Sequence, residues 1–253
     1  RFASKNRTQS KRSYSEFRTK PVFRWLIQML SKTQGIVISY MRYRETSILV
    51  NVYTEEMGIC SYIENGVRSA KAKHKMALFQ PLTLLDLEVY HKPGKGLHRI
   101  SEAKCFFPYQ AIPFDIAKSS LALFLSEVLS KVLKEEEANP VLFEFLSQSL
   151  QYLDRASDNY ENFHLQFLWQ LASFLGFGAS TSAEFYQQLK AAGRIVPTFQ
   201  GLDALVQADY GHPIVLHRAE RKELLAGMLH YYQLHMENFG EIRSLQILQE
   251  VLA

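Results

Sequence analysis

The fold is decided by the stretch Gly35-Ile-Val-Ile-Ser-Tyr-Met-Arg-Tyr-Arg44, which is rich in β-branched and aromatic residues. Such a composition predicts a β-strand. Four more segments of the same character follow, at residues 47–53, 59–63, 82–90 and 97–107. Five short strands in so short a part of the chain predict a small Greek-key barrel of the OB type, with an SH3-like barrel as the alternative.

Beyond Pro113 the hydrophobic pattern changes to the period of an α-helix. Leu121, Leu125 and Val128 recur at steps of three and four residues, which places them on one helix face. Asn139 is expected to cap a second helix. A central helix over residues 160–175, a mixed segment over 179–216 and two closing helices follow. We therefore expect an α+β multidomain chain, with an OB-type barrel over residues 29–109 and an all-α helical domain over residues 110–253.

Charge is distributed unevenly along the 253 residues. Residues 1–28 hold eight Lys/Arg and one Glu (+7), residues 29–109 hold eleven Lys/Arg and seven Asp/Glu (+4), and residues 110–253 hold ten and seventeen (−7). The first segment has no strand or helix pattern before Val22. It is expected to be a disordered basic extension ahead of a true start at Met29, or else an organellar transit peptide.

Several classes of function are disfavoured by the sequence. The only cysteines, Cys60 and Cys105, are too few for a disulfide framework or a four-thiolate zinc site, and buried thiols in a reducing cytoplasm are expected. The histidines offer no i, i+4 pair, and neither a Gly-x-Ser-x-Gly elbow nor a Walker loop occurs. No apolar run approaches the roughly 18 residues of a membrane span. We therefore expect a protein that is not an enzyme, needs no metal or cofactor and is not a membrane protein.

Basic residues near the predicted strand ends and loops of the barrel suggest a nucleic-acid interface, because OB barrels bind nucleic acid there. Tyrosines interleave with them, and a tyrosine ring can stack on a base while a nearby cation contacts phosphate. The alternative is a solvated basic surface with half-buried tyrosines. The candidate DNA-binding residues are Arg42, Arg44, Arg68, Lys71, Lys73, Lys75, Lys92, Lys95, Arg99, Tyr40 and Tyr43.

A series of short motifs occurs in a fixed order along the chain. They are Lys32-Thr-Gln-Gly-Ile-Val37, Tyr43-x-Glu45-Thr46, Tyr53-Thr-Glu-Glu-x-Gly58, Asn65-Gly-Val-Arg68, Phe79-Gln-Pro81-Leu-Thr-Leu-Leu85, the acidic link Glu-Glu-Glu-x-Asn-Pro140 and Leu171-Ala-x-Phe-Leu-Gly176. In this order they resemble the bacterial RecO family of recombination mediators. The resemblance covers residues 29–178 well and the closing helices more loosely.

The resemblance implies a DNA repair function for the chain. Members of the family bind single- and double-stranded DNA, anneal complementary strands and, with RecR, help to load RecA onto DNA coated by single-strand-binding protein. The helical domain of the family receives the acidic, hydrophobic C-terminal tail of that coating protein. Here Lys118, Lys131 and Lys134 are candidates for tail binding, with Leu121, Leu125 and Val128 either beside the groove or wholly in the core.

The chain departs from its relatives at one place. Many of them carry a four-cysteine zinc site after the position of Gly176, whereas residues 179–216 here contain no cysteine. This departure supports the expectation that no metal is bound. Two other classes of function stay open, a protein adaptor whose barrel docks a peptide and an unrecognised enzyme. The resemblance also implies a bacterial, cytoplasmic location at the nucleoid.

Overall fold

The structure is a computed structural model that describes residues 29–68, 73–92, 94, 96–197 and 201–252, apart from the side chains of Met29, Lys73 and His74. The expected disorder of residues 1–28 and the candidates Lys71 and Lys95 lie outside the described residues.

The described part of the N-terminal region forms five strands in a closed barrel of order β1-β2-β3-β5-β4. Strands β3 and β5 pair in parallel and all other neighbours are antiparallel. A short helix, α1, lies between β3 and β4. The OB-type prediction is confirmed. The elements are β1 (Met29–Tyr43), β2 (Ser47–Thr54), β3 (Gly58–Glu64), α1 (Lys73–Ala77), β4 (Leu84–His91) and β5 (His98–Cys105).

Strand β1 is longer than its sequence pattern predicts, because its first six residues are not recognisable as a strand. Those residues pair only with β4, in register from Met29 with His91 to Gln34 with Asp86, and they are mostly polar. Gly35 pairs with both Thr54 of β2 and Leu85 of β4. A Cβ atom there would lie 2.6 Å from a methyl of Val52 and 2.8 Å from one of Leu87. Glycine thus allows β1 to cross from one sheet of the barrel to the other.

The helical region packs around a central helix, as its sequence pattern predicts. Helix α4 is buried along most of its length. Asn139 caps α3 by accepting a hydrogen bond from the N–H of Leu142 (3.0 Å). The helices are α2 (Ile116–Val132), α3 (Pro140–Arg155), α4 (Phe163–Phe174), α5 (Ser182–Ala191), α6 (Leu202–Gln207), α7 (Arg218–His235) and α8 (Leu245–Val251). None of the helices in the described segments has the length and apolar character needed to cross a membrane.

The barrel has a buried cluster of its own, and a second, larger cluster joins one side of the barrel to the helices. Ile36, Ile38 and Tyr53 of the barrel belong to the same buried cluster as α2, α3 and α4, and the ring of Tyr53 stacks on that of Phe143 with centroids 6.4 Å apart. The acidic link between α2 and α3 contacts the barrel through its backbone, where the N–H of Ile59 donates to the carbonyl of Glu135 (3.0 Å). One side of the barrel is therefore occupied by the helical region.

A buried carboxylate fixes the chain where it leaves the barrel. The oxygens of Asp154, at the end of α3, accept the backbone N–H groups of Gln110, Ala111 and Ile112 at 2.8–3.1 Å. Burial acts to raise the pKa of Asp154, but these three donors and nearby Lys118 outweigh it and hold the pKa below its ordinary value. Asp154 is therefore a structural carboxylate at the junction.

Candidate nucleic-acid interface

The outer face of β1, β2, β3 and β5 is a continuous surface whose rows follow from strand register. Met41 pairs with Leu49, Leu49 with Ile63, and Ile63 with Arg99. Neighbouring strands are about 4.8 Å apart, so this row spans roughly 14 Å. Met41 is 62% exposed, Leu49 and Ile63 are half-buried, and Arg99 is exposed. The row is an apolar stripe that ends in a cation.

A second row on the same face is polar. Ser39 pairs with Asn51, and Asn51 pairs with Ser61. The side-chain amide of Asn51 donates to Oγ of Ser39 (3.2 Å), and Oγ of Ser61 donates to the Asn51 carbonyl oxygen (2.7 Å). The face therefore offers apolar contact area and hydrogen-bonding groups side by side, as a surface for the bases and sugars of a nucleic acid would.

Two arginines that are far apart in sequence meet at the β1–β2 turn. The Cζ atom of Arg44 lies 5.2 Å from the ring centroid of Tyr43. Arg68 donates from Nη1 to the carbonyl oxygen of Arg44 (3.2 Å) and from its backbone N–H to that of Thr46 (3.1 Å). Arg44 has φ = +51°, a left-handed conformation that the bond from Arg68 supports. This basic cluster, Tyr43, Arg44 and Arg68, adjoins the exposed face.

The candidate residues are divided between two surfaces. Tyr40 pairs with Val50 and Arg42 pairs with Ile48, whose side chains belong to the barrel interior. Because side chains alternate along a strand, Tyr40 and Arg42 point to the opposite face from Met41 and Tyr43. Both are exposed nonetheless. The structure thus brings Tyr43, Arg44 and Arg68 together, places Arg99 at the far end of the same face and sets Tyr40 and Arg42 apart.

Two of the lysine candidates make structural contacts. Lys75 of α1 forms an ion pair with Glu64, whose side chain is almost completely buried at the end of the barrel. Its charge is therefore partly matched within the protein. Lys92 is half-buried, and its backbone N–H donates to Nδ1 of His98 (3.3 Å). For Lys73 only the backbone is described.

The barrel also has a surface of opposite charge. A cavity beside the first half of β1 is lined by five carboxylates but only two lysines, Lys32 and Lys104. Lys32 pairs with Glu88 (3.1 Å), and Lys104 pairs with Glu102 (2.7 Å). The carboxylates are Glu55, Glu56, Asp86, Glu88 and Glu102. The field of this surface repels phosphate groups.

Lys118, a candidate for tail binding, is not on the surface, and the expectation that it could meet a tail there is wrong. It is only 4% exposed, and Nζ donates to the carbonyl oxygens of Asp154 (2.8 Å) and Ala156 (2.5 Å). Nζ also lies 5.3 Å from the ring centroid of Tyr160. These carbonyls end α3 and lack intrahelical partners, so a cation there stabilises the helix terminus.

The rest of the proposed tail site is only partly exposed. Leu121, Leu125 and Val128 are completely buried, so they belong to the core and cannot line an open groove. Lys131 is half-buried and Lys134 is exposed. A cavity that includes Lys134 is apolar at its base but is also lined by Glu135 and Glu137.

A second basic and apolar cavity was not foreseen from the sequence. It lies between α7 and α8, has a volume of about 430 Å³ and contains no carboxylate among its described lining residues. Arg218, Arg221 and Lys222 lie at the start of α7 with i, i+3 and i+4 spacing, which places them on one helix face. This spacing is the signal by which the sequence could have indicated the cavity. The lining includes Arg218, Arg221, Lys222, Leu225, Leu248 and Leu252. His164 at its edge is fully buried, and burial, with a smaller effect of Arg221, lowers the pKa of His164 to about 3.

The fold defines a class of protein, an OB-type barrel with an open, arginine-bearing face joined to a helical domain. Comparison with known sequences identifies the family. The family model described as "Recombination protein O N terminal" matches residues 29–109. The model described as "Recombination protein O C terminal" matches residues 113–251. The chain belongs to the RecO family.

Bacterial relatives are similar over nearly all of their length. DNA repair protein RecO of Phocaeicola vulgatus is 36% identical over 241 residues, which cover 89% of this chain and 100% of the relative. DNA repair protein RecO of Bacteroides fragilis is 38% identical over 240 residues, which cover 88% of this chain and 99% of the relative. DNA repair protein RecO of Flavobacterium psychrophilum is 33% identical over 239 residues, which cover 89% of this chain and 100% of the relative. The resemblance drawn from the motifs is confirmed.

Proposed function

We propose that this protein is a DNA-binding recombination mediator in DNA repair. It binds single- and double-stranded DNA, anneals complementary strands and, together with RecR, assists the loading of RecA onto single strands coated by single-strand-binding protein. The observation that carries the proposal is the basic cluster of Tyr43, Arg44 and Arg68 beside the row that ends at Arg99. Membership of the RecO family supports it.

The chemistry of this face suits a flexible anionic strand. Guanidinium groups hold phosphates bidentately, and the ring of Tyr43 and the thioether of Met41 offer surfaces to bases. Because phosphate contacts carry little sequence information, binding should be tolerant of sequence. An annealing protein needs this tolerance, since it must hold any strand while complementary bases pair.

The proposal assigns a binding role rather than a catalytic one, with residues 29–109 as the DNA-binding domain and residues 110–253 as the domain that meets the protein partners. We place the protein in the bacterial cytoplasm at the nucleoid, where DNA is repaired. The tail of the single-strand-binding protein is assigned to the helical domain, where the exposed candidates are Lys131 and Lys134.

Salt dependence of single-stranded DNA binding tests the proposal. If about four to six phosphates are neutralised, the slope of log K against log salt is about −3 to −4, from roughly −0.7 per contact. Replacing Arg44, Arg68 and Arg99 together with alanine should make the slope less negative by about 2 and weaken binding to all sequences equally. A Lys32→Ala/Lys104→Ala variant, altered on the acidic surface, is the matched control.

The outcomes separate the alternatives. A slope near zero, or equal binding by the triple variant and the wild type, would contradict DNA binding at this face. No DNA binding at all would favour an adaptor, in which a peptide lies on the apolar stripe of Met41, Leu49 and Ile63.

A further inference from the structure

Three residues with metal-ligand side chains meet at the end of the barrel below the β4–β5 loop. Cys60 points inward from β3, where alternate residues are buried. His98 begins β5 and pairs with Tyr62, two residues along β3 from Cys60, so its side chain lies on the same interior side. His91 is the last residue of β4 and is joined to His98 by the short loop.

The geometry of the three side chains is compact. Sγ of Cys60 and one ring nitrogen of each histidine all lie within 4.8 Å of one another. The two imidazole rings stack, with centroids 4.3 Å apart and planes inclined by 22°. Cys60 is 6% exposed and His98 is 7% exposed. Cys60 and His98 are therefore screened from solvent, and the three ligand atoms are close enough to share one ion.

One ring nitrogen of His91 has no hydrogen-bond partner. Nδ1 of His91 is buried and has no hydrogen-bond partner in the structure. A buried polar atom without a partner costs about 1–3 kcal/mol, so such atoms are rare unless something binds them. Nothing in the packing of the described side chains supplies that partner.

We propose that Cys60, His91 and His98 bind a divalent transition metal of the zinc class. A thiolate and two imidazoles are the ligands that zinc prefers, and three protein ligands leave a fourth position for water or a carboxylate. Glu56 and Glu136 line the same cavity, which has a volume of about 350 Å³. The site is separate from residues 179–216, and the proposal departs from the expectation, drawn from the sequence, that no metal is bound.

Metal binding at this site has a defined proton balance. A transition metal binds cysteine as the thiolate, so the thiol proton of Cys60 must leave when the metal binds. Forming the metal–sulfur bond therefore releases one proton to solvent, while both histidines bind as neutral imidazoles. The bond from the N–H of Lys92 to Nδ1 of His98 is long at 3.3 Å, so a metal at that nitrogen would displace it at little cost.

The bound metal would tie together three strands. Cys60 belongs to β3, His91 to β4 and His98 to β5, so one ion would connect both sides of the β4–β5 loop to the neighbouring strand. We infer a structural role, in which the metal fixes the base of this loop. The inference does not depend on DNA binding, and its test contains no DNA.

Cobalt(II) titration of the full chain tests the site. Cobalt reports tetrahedral coordination through its visible d–d bands and a cysteine ligand through a thiolate charge-transfer band in the near ultraviolet. The wild type should take up one equivalent, show both signals and release cobalt to zinc. Cys60→Ser should abolish the charge-transfer band, and the matched control Cys105→Ser should retain it. Cys60→Ser and His91→Gln should each weaken zinc binding by more than about 100-fold.

The outcomes are decisive in both directions. Circular dichroism and thermal unfolding establish that each variant is folded, and the half-buried His91→Gln serves if Cys60→Ser does not fold. The absence of a charge-transfer band in the wild type would overturn the proposal. So would a band that survives in Cys60→Ser, a band lost in Cys105→Ser, or unchanged zinc affinity in folded His91→Gln.

Discussion

Charged side chains are exposed on the barrel face but buried at the junction between the barrel and the helices. On the barrel face, Arg44, Arg68 and Arg99 are exposed at turns and strand ends. At the junction, Lys118 and Asp154 are buried and bond to backbone groups. The comparison teaches that burial and partners, rather than the number of charges, separate a cation that can meet a ligand from one that holds the fold.

The charged side chains at the junction bond to backbone N–H and carbonyl groups that have no backbone partner. Asp154 accepts three N–H groups of the segment that leaves the barrel, and Lys118 donates to two carbonyls at the end of α3. Glu127 acts similarly at the start of α8, where it accepts the N–H groups of Arg243 and Ser244 at 2.8 Å. Buried backbone groups need such partners, because leaving them unpaired is costly.

The largest effect is expected from Lys118→Met, which keeps the apolar stem but removes the ammonium. The carbonyls of Asp154 and Ala156 lose a charged donor in a buried site, so the free energy of unfolding should fall by about 3 kcal/mol. Urea denaturation measures it, as a lower midpoint with an unchanged slope. Lys134→Met, at an exposed lysine two residues beyond the end of the same helix, is the control, and it should change stability by less than about 0.5 kcal/mol. Equal losses in the two variants would refute the structural role of Lys118.

Asp154→Asn should have a smaller, pH-dependent effect of about 1–2 kcal/mol at neutral pH, since the amide oxygen can retain part of the hydrogen bonding. The pKa of Asp154 is lowered in the folded protein. Its stabilising contribution is therefore complete above the unfolded carboxyl value of about 3.9 and is lost as the pH falls through the lower folded value. The difference from wild type should consequently shrink below about pH 4. The exposed Asp158→Asn serves as control, and a difference that is constant with pH would contradict the assignment.

Elements that repeat a short pattern could be predicted from the sequence. The five strands follow from β-branched and aromatic stretches, and the first three large helices follow from the 3.6-residue period. Asn139 was recognisable as a cap because capping is local. The first half of β1 could not be recognised as a strand, because its polar residues carry no strand pattern and are held in place by pairing with β4. Helix α6 was missed for a related reason, since only two of its six residues are buried.

Sites that depend on contacts between distant residues could not be predicted. The period of α2 correctly placed Leu121, Leu125 and Val128 on one face, but it could not reveal that Lys118 lies under the end of α3, 36 residues away. In the same way Cys60 is separated from His91 and His98 by more than a strand and a helix, so no spacing motif joins them. Sequence period defines a face, whereas the tertiary fold defines what lies against that face.

The smallest effect is expected at the surface that we propose for binding the acidic partner tail, where two groups of cations are candidates. Lys134 adjoins an apolar cavity, but Glu135 and Glu137 line it and oppose an acidic peptide. The cavity between α7 and α8 combines Arg218 and Lys222 with buried leucines. Charge complementarity therefore favours the second cavity, although Lys131 and Lys134 stay candidates.

Titration of a labelled acidic, apolar peptide into three proteins sharpens the comparison. Arg218→Glu/Lys222→Glu should weaken binding about tenfold, equivalent to about 1.4 kcal/mol, and Lys131→Glu/Lys134→Glu should weaken it less than about threefold. Both variants change net charge equally, so they are matched for long-range repulsion. Arg221 is left unchanged because it donates to the Asn162 side chain (3.2 Å), and its loss would disturb the fold. The reverse order of effects would return the tail site to Lys131 and Lys134, and equal affinities in all three proteins would exclude both surfaces.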